Sequence, residues 1–222
     1  IIFKLTNFQV SNKSMYFIRT PFIVKKLFPN IIWEFPSNEN SIFLTFDDGP
    51  HPQNTHFILA QLDKYNAKAT FFCLGENAEK HPELILEILD RGHAIGNHGY
   101  RHLNGWKISA IDFIEKYEKG NEILEHISGS EIKLFRPPYG KIKLSQISNL
   151  PSLIVLWSLM PGDFDVTIST EKCYNNAINN LCSGDIICLH DNEKALQHLA
   201  YCLPKWLEYI YNKGLKSNRI IL

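Results

Sequence analysis

The stretch "LTFDDGP" (residues 44–50) is an apolar run that stops at two adjacent aspartates, followed by glycine and proline. Neighbouring side chains on a strand point to opposite faces, so adjacent carboxylates in its middle share no task. At a strand terminus, where the chain turns, both can lean into one cleft and take different jobs. Asp-Gly-Pro is also ordinary turn chemistry, so the pair decides nothing alone.

Working outward, "SIFLTF" (41–46) reads as a strand. A helix follows near 55–65, with Ile58, Leu59, Leu62 and Tyr65 on one face. "AKATFFCL" (67–74) is a second strand. A helix over 82–91 opens with Pro82 and stops at Gly92. "HAIGNH" (93–98) is strand-like, and Ser109 with Asp112 three residues on resembles a capping box for a helix reaching 127. Strands are expected again at 133–138, 153–159, 185–191 and 219–222, with helices near 170–182 and 194–213. This alternation predicts an α/β fold, a parallel sheet with crossover helices. No repeat or low-complexity linker divides the chain, which reads as one domain (36–222) behind an N-terminal appendage (1–35).

The polar residues fit for chemistry fall at one kind of place. Asp47 and Asp48 end a strand; "HGYRH" (98–102) follows another and "RPPYG" (136–140) a third; Asp163 lies beyond "LIVLWSL", and His190 ends "IICLH". In a βα barrel the carboxyl ends of the strands form one face where catalytic groups converge. Histidines four apart on one side of a helical turn can share a metal, and either Asp48 or Asp47 would complete a one-Asp, two-His set with open coordination positions. Arg136, ahead of a stiff loop, is placed to hold a carboxylate. Each feature has a plainer alternative: a chance histidine pair among nine, a rigid turn, a core histidine, a solvated loop aspartate. Five together at strand ends favour a site.

Composition narrows the classes. Basic and acidic residues balance at 23 each, so no electrostatic footprint calls for nucleic acid or an anionic membrane. Five cysteines, Cys73, Cys173, Cys182, Cys188 and Cys202, have no C-x-x-C spacing. Free thiols are expected, and neither a disulfide framework nor a cysteine-ligated zinc. No run approaches the roughly 18 to 20 apolar residues of a membrane span. No export signal is visible near the start, so the sequence alone points to the cytoplasm. With no methionine at position 1, either Met15 is the start or a longer leader has been removed. No obligate protein partner is evident.

"TFDDGP", "HGYRH", "RPPYG", "WSLMPGDF" and "CLHD", in this order and spacing, resemble the five motifs of polysaccharide deacetylases (carbohydrate esterase family four, with the chitooligosaccharide deacetylase homology domain). The resemblance covers roughly 40–222. It implies a distorted (β/α) barrel, usually seven-stranded, and hydrolysis of N-acetyl groups on an N-acetylglucosamine-containing glycan such as chitin or peptidoglycan. It implies a divalent metal, Zn2+ first and Co2+, Ni2+ or Mn2+ as alternatives, held by Asp48, His98 and His102. Asp47 is then the general base, held by Arg136; the Tyr139 backbone N–H serves the oxyanion; His190 is the general acid, oriented by Asp163. Pro138, Tyr139, Phe164 and Cys188 are the implied substrate-binding residues. Three positions depart from the family pattern: Gly99 for Ser or Thr, Phe164 for Trp and Cys188 for Leu. The rival readings are an O-acetyl esterase on xylan-like glycans and a carbohydrate-binding pseudoenzyme. The family commonly meets its polymers outside the cytoplasm, against the absence of a visible export signal.

Overall fold

The structure is a computed structural model and describes residues 16–36 and 40–221. Among the described residues the strands are β1 (Ser41–Asp47), β2 (Ala69–Cys73), β3 (Ala94–Asn97), β4 (Leu134–Phe135), β5 (Leu153–Ile154), β6 (Ile186–His190) and β7 (Lys216–Ser217). The helices are α1 (Phe22–Leu27), α2 (Pro52–Lys64), α3 (Gly75–Lys80), α4 (Pro82–Asp90), α5 (Ala110–Ser128), α6 (Leu144–Ile147), α7 (Thr170–Ile178) and α8 (Leu196–Asn212). The strands form one parallel sheet in the order β5-β4-β3-β2-β1-β6, with β7 paired to the start of β1. A parallel bridge between Leu159 and Ile187 brings the chain after β5 onto β6 and curls the sheet into a distorted seven-stranded (β/α) barrel.

Alternation along β1 sets up everything that follows. Ile42, Leu44 and Phe46 pack outward with Ile58, Leu59 and Leu62 of α2 and Leu203 and Leu207 of α8. Phe43 packs inward with Phe72, Leu134, Val155 and Ile186. The inward column therefore runs Phe43, Thr45, Asp47, from an apolar floor to a charged mouth.

Residues 16–36 lie along the gap between β5 and β6. Ile32 bridges Val155 and Glu34 bridges Asp185, while Ile31 and Trp33 bury against Phe135 and Ile154. Arg19 clamps the buried Asp185 through both terminal guanidinium nitrogens, at 2.9 and 2.8 Å. An otherwise open sheet edge is covered in this way. Of the expected appendage, residues 1–15, Met15 among them, lie outside the described residues. No described helix is long and apolar enough to cross a membrane. All five cysteines are free thiols, and only Cys182 is exposed.

Three expectations need correction. The strand expected over 133–138 is only two residues long, because Arg136 turns its side chain into the barrel and Pro137 and Pro138 have no N–H to pair. The segment 153–159 is likewise regular only at Leu153–Ile154, continuing as single bridges. The last strand is Lys216–Ser217, ahead of 219–222. Arg219 instead donates to the Gly92 carbonyl, and the Ile220 N–H donates to Thr70 Oγ1; Leu222 lies outside the described residues.

Candidate active site

The two aspartates reach the same mouth by different routes. Asp47 is the top of the inward column and faces His190 across the β1–β6 register. Asp48 would point outward if the strand continued, but its backbone is left-handed at φ +78°. Aspartate tolerates that region better than most residues, and the turn swings its carboxylate back over the cleft. The Asn77 side-chain amide pins the turn by donating to the Asp48 carbonyl at 2.8 Å.

Asp48 Oδ1 lies 3.4 Å from His98 Nε2 and 3.2 Å from His102 Nε2, is buried, and has no hydrogen-bond donor. A buried carboxylate oxygen without a donor is costly unless something cationic completes it. Three ligand-type atoms around that point fit a divalent metal. His98 Nδ1–H donates to the Arg136 carbonyl at 2.7 Å, fixing the tautomer whose Nε2 lone pair faces Asp48. Burial, with repulsion from His98, lowers His102 to about 4, against the pull of Asp48 and Asp47; it is neutral at physiological pH, as a ligand must be. Burial pushes the Asp48 carboxyl up. The imidazoles of His98, His190 and His102 that face it outweigh this and hold the group below the usual carboxylate range.

The histidines do not sit on a helical turn, as their spacing suggests. Residues 98–102 are a loop whose bend is made by Gly99 at φ +85°, a conformation costly for the Ser or Thr of the family pattern. The loop is tied down through its backbone: the Gly75 N–H donates to Gly99 O and the Tyr100 N–H to Lys116 O.

Asp47 is kept apart from this group by Arg136. The guanidinium is fully buried, donates to Asp47 Oδ1 at 2.7 Å and to Thr45 Oγ1 at 2.7 Å, and spends its other nitrogens on the Val155 and Leu156 carbonyls. Its carbon lies 4.1 Å from the Phe72 ring centre. Every guanidinium nitrogen has a partner, which is what lets the charge stay buried. Cys188 S–H donates to Asp47 Oδ2 at 3.4 Å and is itself inaccessible.

On the other wall, the buried Asp163 takes two bonds from one residue: the His190 N–H at 2.7 Å and Nδ1–H at 3.0 Å. Burial alone would keep His190 neutral. The charge and hydrogen bond of Asp163, with Asp48 and Asp47, carry its pKa up to about 9. The Phe164 ring stands edge-on to His190, 5.0 Å between centres. Tyr139, at φ +60° and 56% exposed, stands over His102 at 4.2 Å. Pro138 is buried beneath it, lining a small cavity with Gly99, Leu103 and Phe113.

Three supporting residues were not found from sequence. Asn192 donates to Asp48 Oδ2 at 2.6 Å, and its own Oδ1 is fixed by the Ala195 N–H. His198 Nδ1 lies 2.8 Å from the Asp163 carbonyl and Thr45 braces Arg136. Thr45 shares a face with Asp47 by strand alternation and was findable; Asn192 and His198 gave no signal. Groups that orient a ligand typically contribute about 10- to 100-fold to metal affinity. Asn192→Ala is accordingly expected to weaken divalent-metal binding by about that range, read by competition with a chelator, while His98→Ala removes the site outright.

Comparison with known proteins accords with this arrangement. The polysaccharide deacetylase family model matches residues 35–150. A peptidoglycan-N-acetylglucosamine deacetylase of Bacillus cereus is 37% identical over 185 residues, covering 82% of this chain and 67% of that protein. A chitooligosaccharide deacetylase of Azorhizobium caulinodans is 36% identical over 159 residues, covering 69% and 75%. The solved structure of the Bc1960 peptidoglycan N-acetylglucosamine deacetylase superposes with a TM-score of 0.81 at 35% identity, covering 86% of this chain and 91% of that one.

Proposed function

The chain belongs to the polysaccharide deacetylase family, and on that premise we propose that residues 36–222 are a catalytic domain removing N-acetyl groups from an N-acetylglucosamine-containing glycan, chitin-like or peptidoglycan. One observation carries the reading. The orphaned Asp48 oxygen between two histidine nitrogens stands beside a second carboxylate, Asp47, that Arg136 holds out of that group. One aspartate can thus ligate while the other stays free to take a proton, which answers why the strand ends in two.

The ligand set is two imidazoles and a carboxylate, which suits Zn2+, with Co2+, Ni2+ or Mn2+ as weaker alternatives. A divalent cation there supplies Lewis acidity, polarising the acetyl carbonyl. The chain's own residues do the rest. Asp47 accepts a proton from the attacking water, its oxygens fixed by Arg136 and Cys188. The Tyr139 backbone N–H serves the developing oxyanion, a donor whose loss typically costs on the order of 3 kcal/mol. An amine leaves only once protonated, and His190, charged through Asp163, delivers that proton. Phe164 and Tyr139 offer ring faces at the mouth for a sugar.

The test is acetate release from chitin oligomers, peptidoglycan and acetylated xylan, with and without chelator. Release from the first two, lost on chelation and restored by zinc, is expected. Release from xylan alone would make the protein an O-acetyl esterase, and none from any substrate would leave a carbohydrate-binding pseudoenzyme.

A further inference from the structure

A second set of ligand-type atoms lies at the same mouth, distinct from Asp48, His98 and His102. Cys188 and His190 are two apart on β6, so both side chains enter the barrel, and His190 is in register with Asp47 on β1. A carboxylate oxygen of Asp47, the sulfur of Cys188 and a ring nitrogen of His190 all lie within 4.8 Å of one another. From this we propose that Asp47, Cys188 and His190 form a second, inhibitory cation site, selective for thiophilic divalent ions, Cd2+ and excess Zn2+ above all.

The sulfur is what distinguishes the two sets. Two nitrogens and an oxygen give no preference for soft ions, whereas a thiolate strongly favours soft and borderline ones. Arg136 occupies Asp47 Oδ1, leaving Oδ2, already 3.4 Å from the Cys188 sulfur, as the ligand oxygen. The His190 side chain is 15% exposed and gives the route in from the cleft. Binding moves two protons to solvent, one from the Cys188 thiol and one from His190 Nε2, because the thiolate and the neutral imidazole are the ligands while Nδ1–H stays on Asp163. The Arg136 charge and a cation on Asp48 repel a second one, against the attraction of Asp47, the Cys188 thiolate and Asp163 behind His190. Occupancy therefore needs an excess over what fills the first set. The consequence rests on the roles proposed for Asp47 and His190: one ion ties up the base and the acid together.

The experiment uses protein carrying one equivalent of zinc, in a Cys182→Ser background that removes the exposed thiol. Titration with Cd2+ is expected to add one further equivalent, with an ultraviolet thiolate-to-cadmium band and loss of acetate release. Cadmium replacing the first ion gives no such band, since that set has no sulfur. Cys188→Ser, checked for folding by circular dichroism, is expected to lose the band. It should also need about tenfold more cadmium, or beyond, for half-inhibition relative to its own cadmium-free rate. Cys188→Ala serves the same test should the serine variant misfold. A band that survives removal of Cys188, or no second equivalent in excess cadmium, overturns the proposal. Stoichiometry and band are read without substrate. A band in a protein that deacetylates nothing would therefore support the second site while sinking the deacetylase reading.

Discussion

Asp47→Asn is expected to keep its metal and lose about 10²- to 10⁴-fold in turnover, the span typical of losing a general base. The substitution keeps shape and leaves an amide oxygen for Arg136 Nη1, which also donates to Thr45, while the other two nitrogens are satisfied by Val155 and Leu156. What disappears is the proton acceptor. Breaking a buried pair by removing one partner typically costs about 3 to 5 kcal/mol. Both Asp47→Asn and Asp47→Ala remove the counter-charge of Arg136, but the alanine also leaves its hydrogen bond unfilled and is therefore the poorer experiment; stability is measured beside turnover in either case. The neighbouring Asp48→Asn should behave in the opposite way. It exchanges a ligand carboxylate, flanked by two histidine nitrogens and held by Asn192, for a neutral amide, so metal content falls first and activity follows. Metal analysis beside acetate release separates the two variants. Equal metal loss in both would mean the division of labour between adjacent aspartates is wrong.

His190→Ala should damage amide hydrolysis by two orders of magnitude or so more than hydrolysis of an activated acetate ester. An amine leaving group must be protonated to depart, whereas an activated alcohol leaves as its anion. Equal losses on both substrates would mean that the imidazole is not the acid. The pH profile gives an independent check. His190 acts in its protonated form, and Asp163 raises its pKa, to about 9 in sum with the other charges, so activity falls on the alkaline side as that proton is lost. Asp163→Asn removes the largest raising influence and should move the alkaline limb to lower pH. Charge on a cation held at Asp48 lowers the same pKa, so the direction of the displacement is the diagnostic quantity. An unmoved limb would leave Asp163 as a brace for the loop, through its bond to the His190 N–H.

The barrel was legible where local pattern and global fold agree. Residues 41–46, with a helix and a second strand behind them, announce a parallel unit, and β1, α2 and β2 lie where periodicity puts them. Ser109 caps α5 as its spacing suggests, accepting from the Asp112 N–H at 3.0 Å. Legibility failed where tertiary geometry overrides pattern. The arginine of "RPPYG" spends its side chain on the barrel interior, so the apparent strand ends after Phe135. The helical spacing of His98 and His102 is produced by a glycine bend in a loop. Nor does anything in 16–36 announce that Ile31, Ile32 and Trp33 cover a sheet edge, since that follows only from the gap between β5 and β6.

The site divides in the same way. Strand alternation alone puts Thr45, Asp47, Cys188 and His190 on the inner face. No alternation rule predicts that Asp48 joins them, because it does so through a left-handed backbone at φ +78°. Asn192 and His198 escaped notice because each acts through a partner distant in sequence, Asp48 in one case and the Asp163 carbonyl in the other.

The measurement that bears most directly on the central claim is zinc content together with acetate release from N-acetylglucosamine oligomers in a His98→Ala protein. His98 is buried and linked to the Arg136 carbonyl, so truncation removes one ligand and leaves the barrel strands untouched. The expected result is a folded protein by circular dichroism that retains no zinc after dialysis and releases no acetate. Undiminished acetate release from that metal-free protein would contradict a metal-dependent deacetylase built on Asp48, His98 and His102.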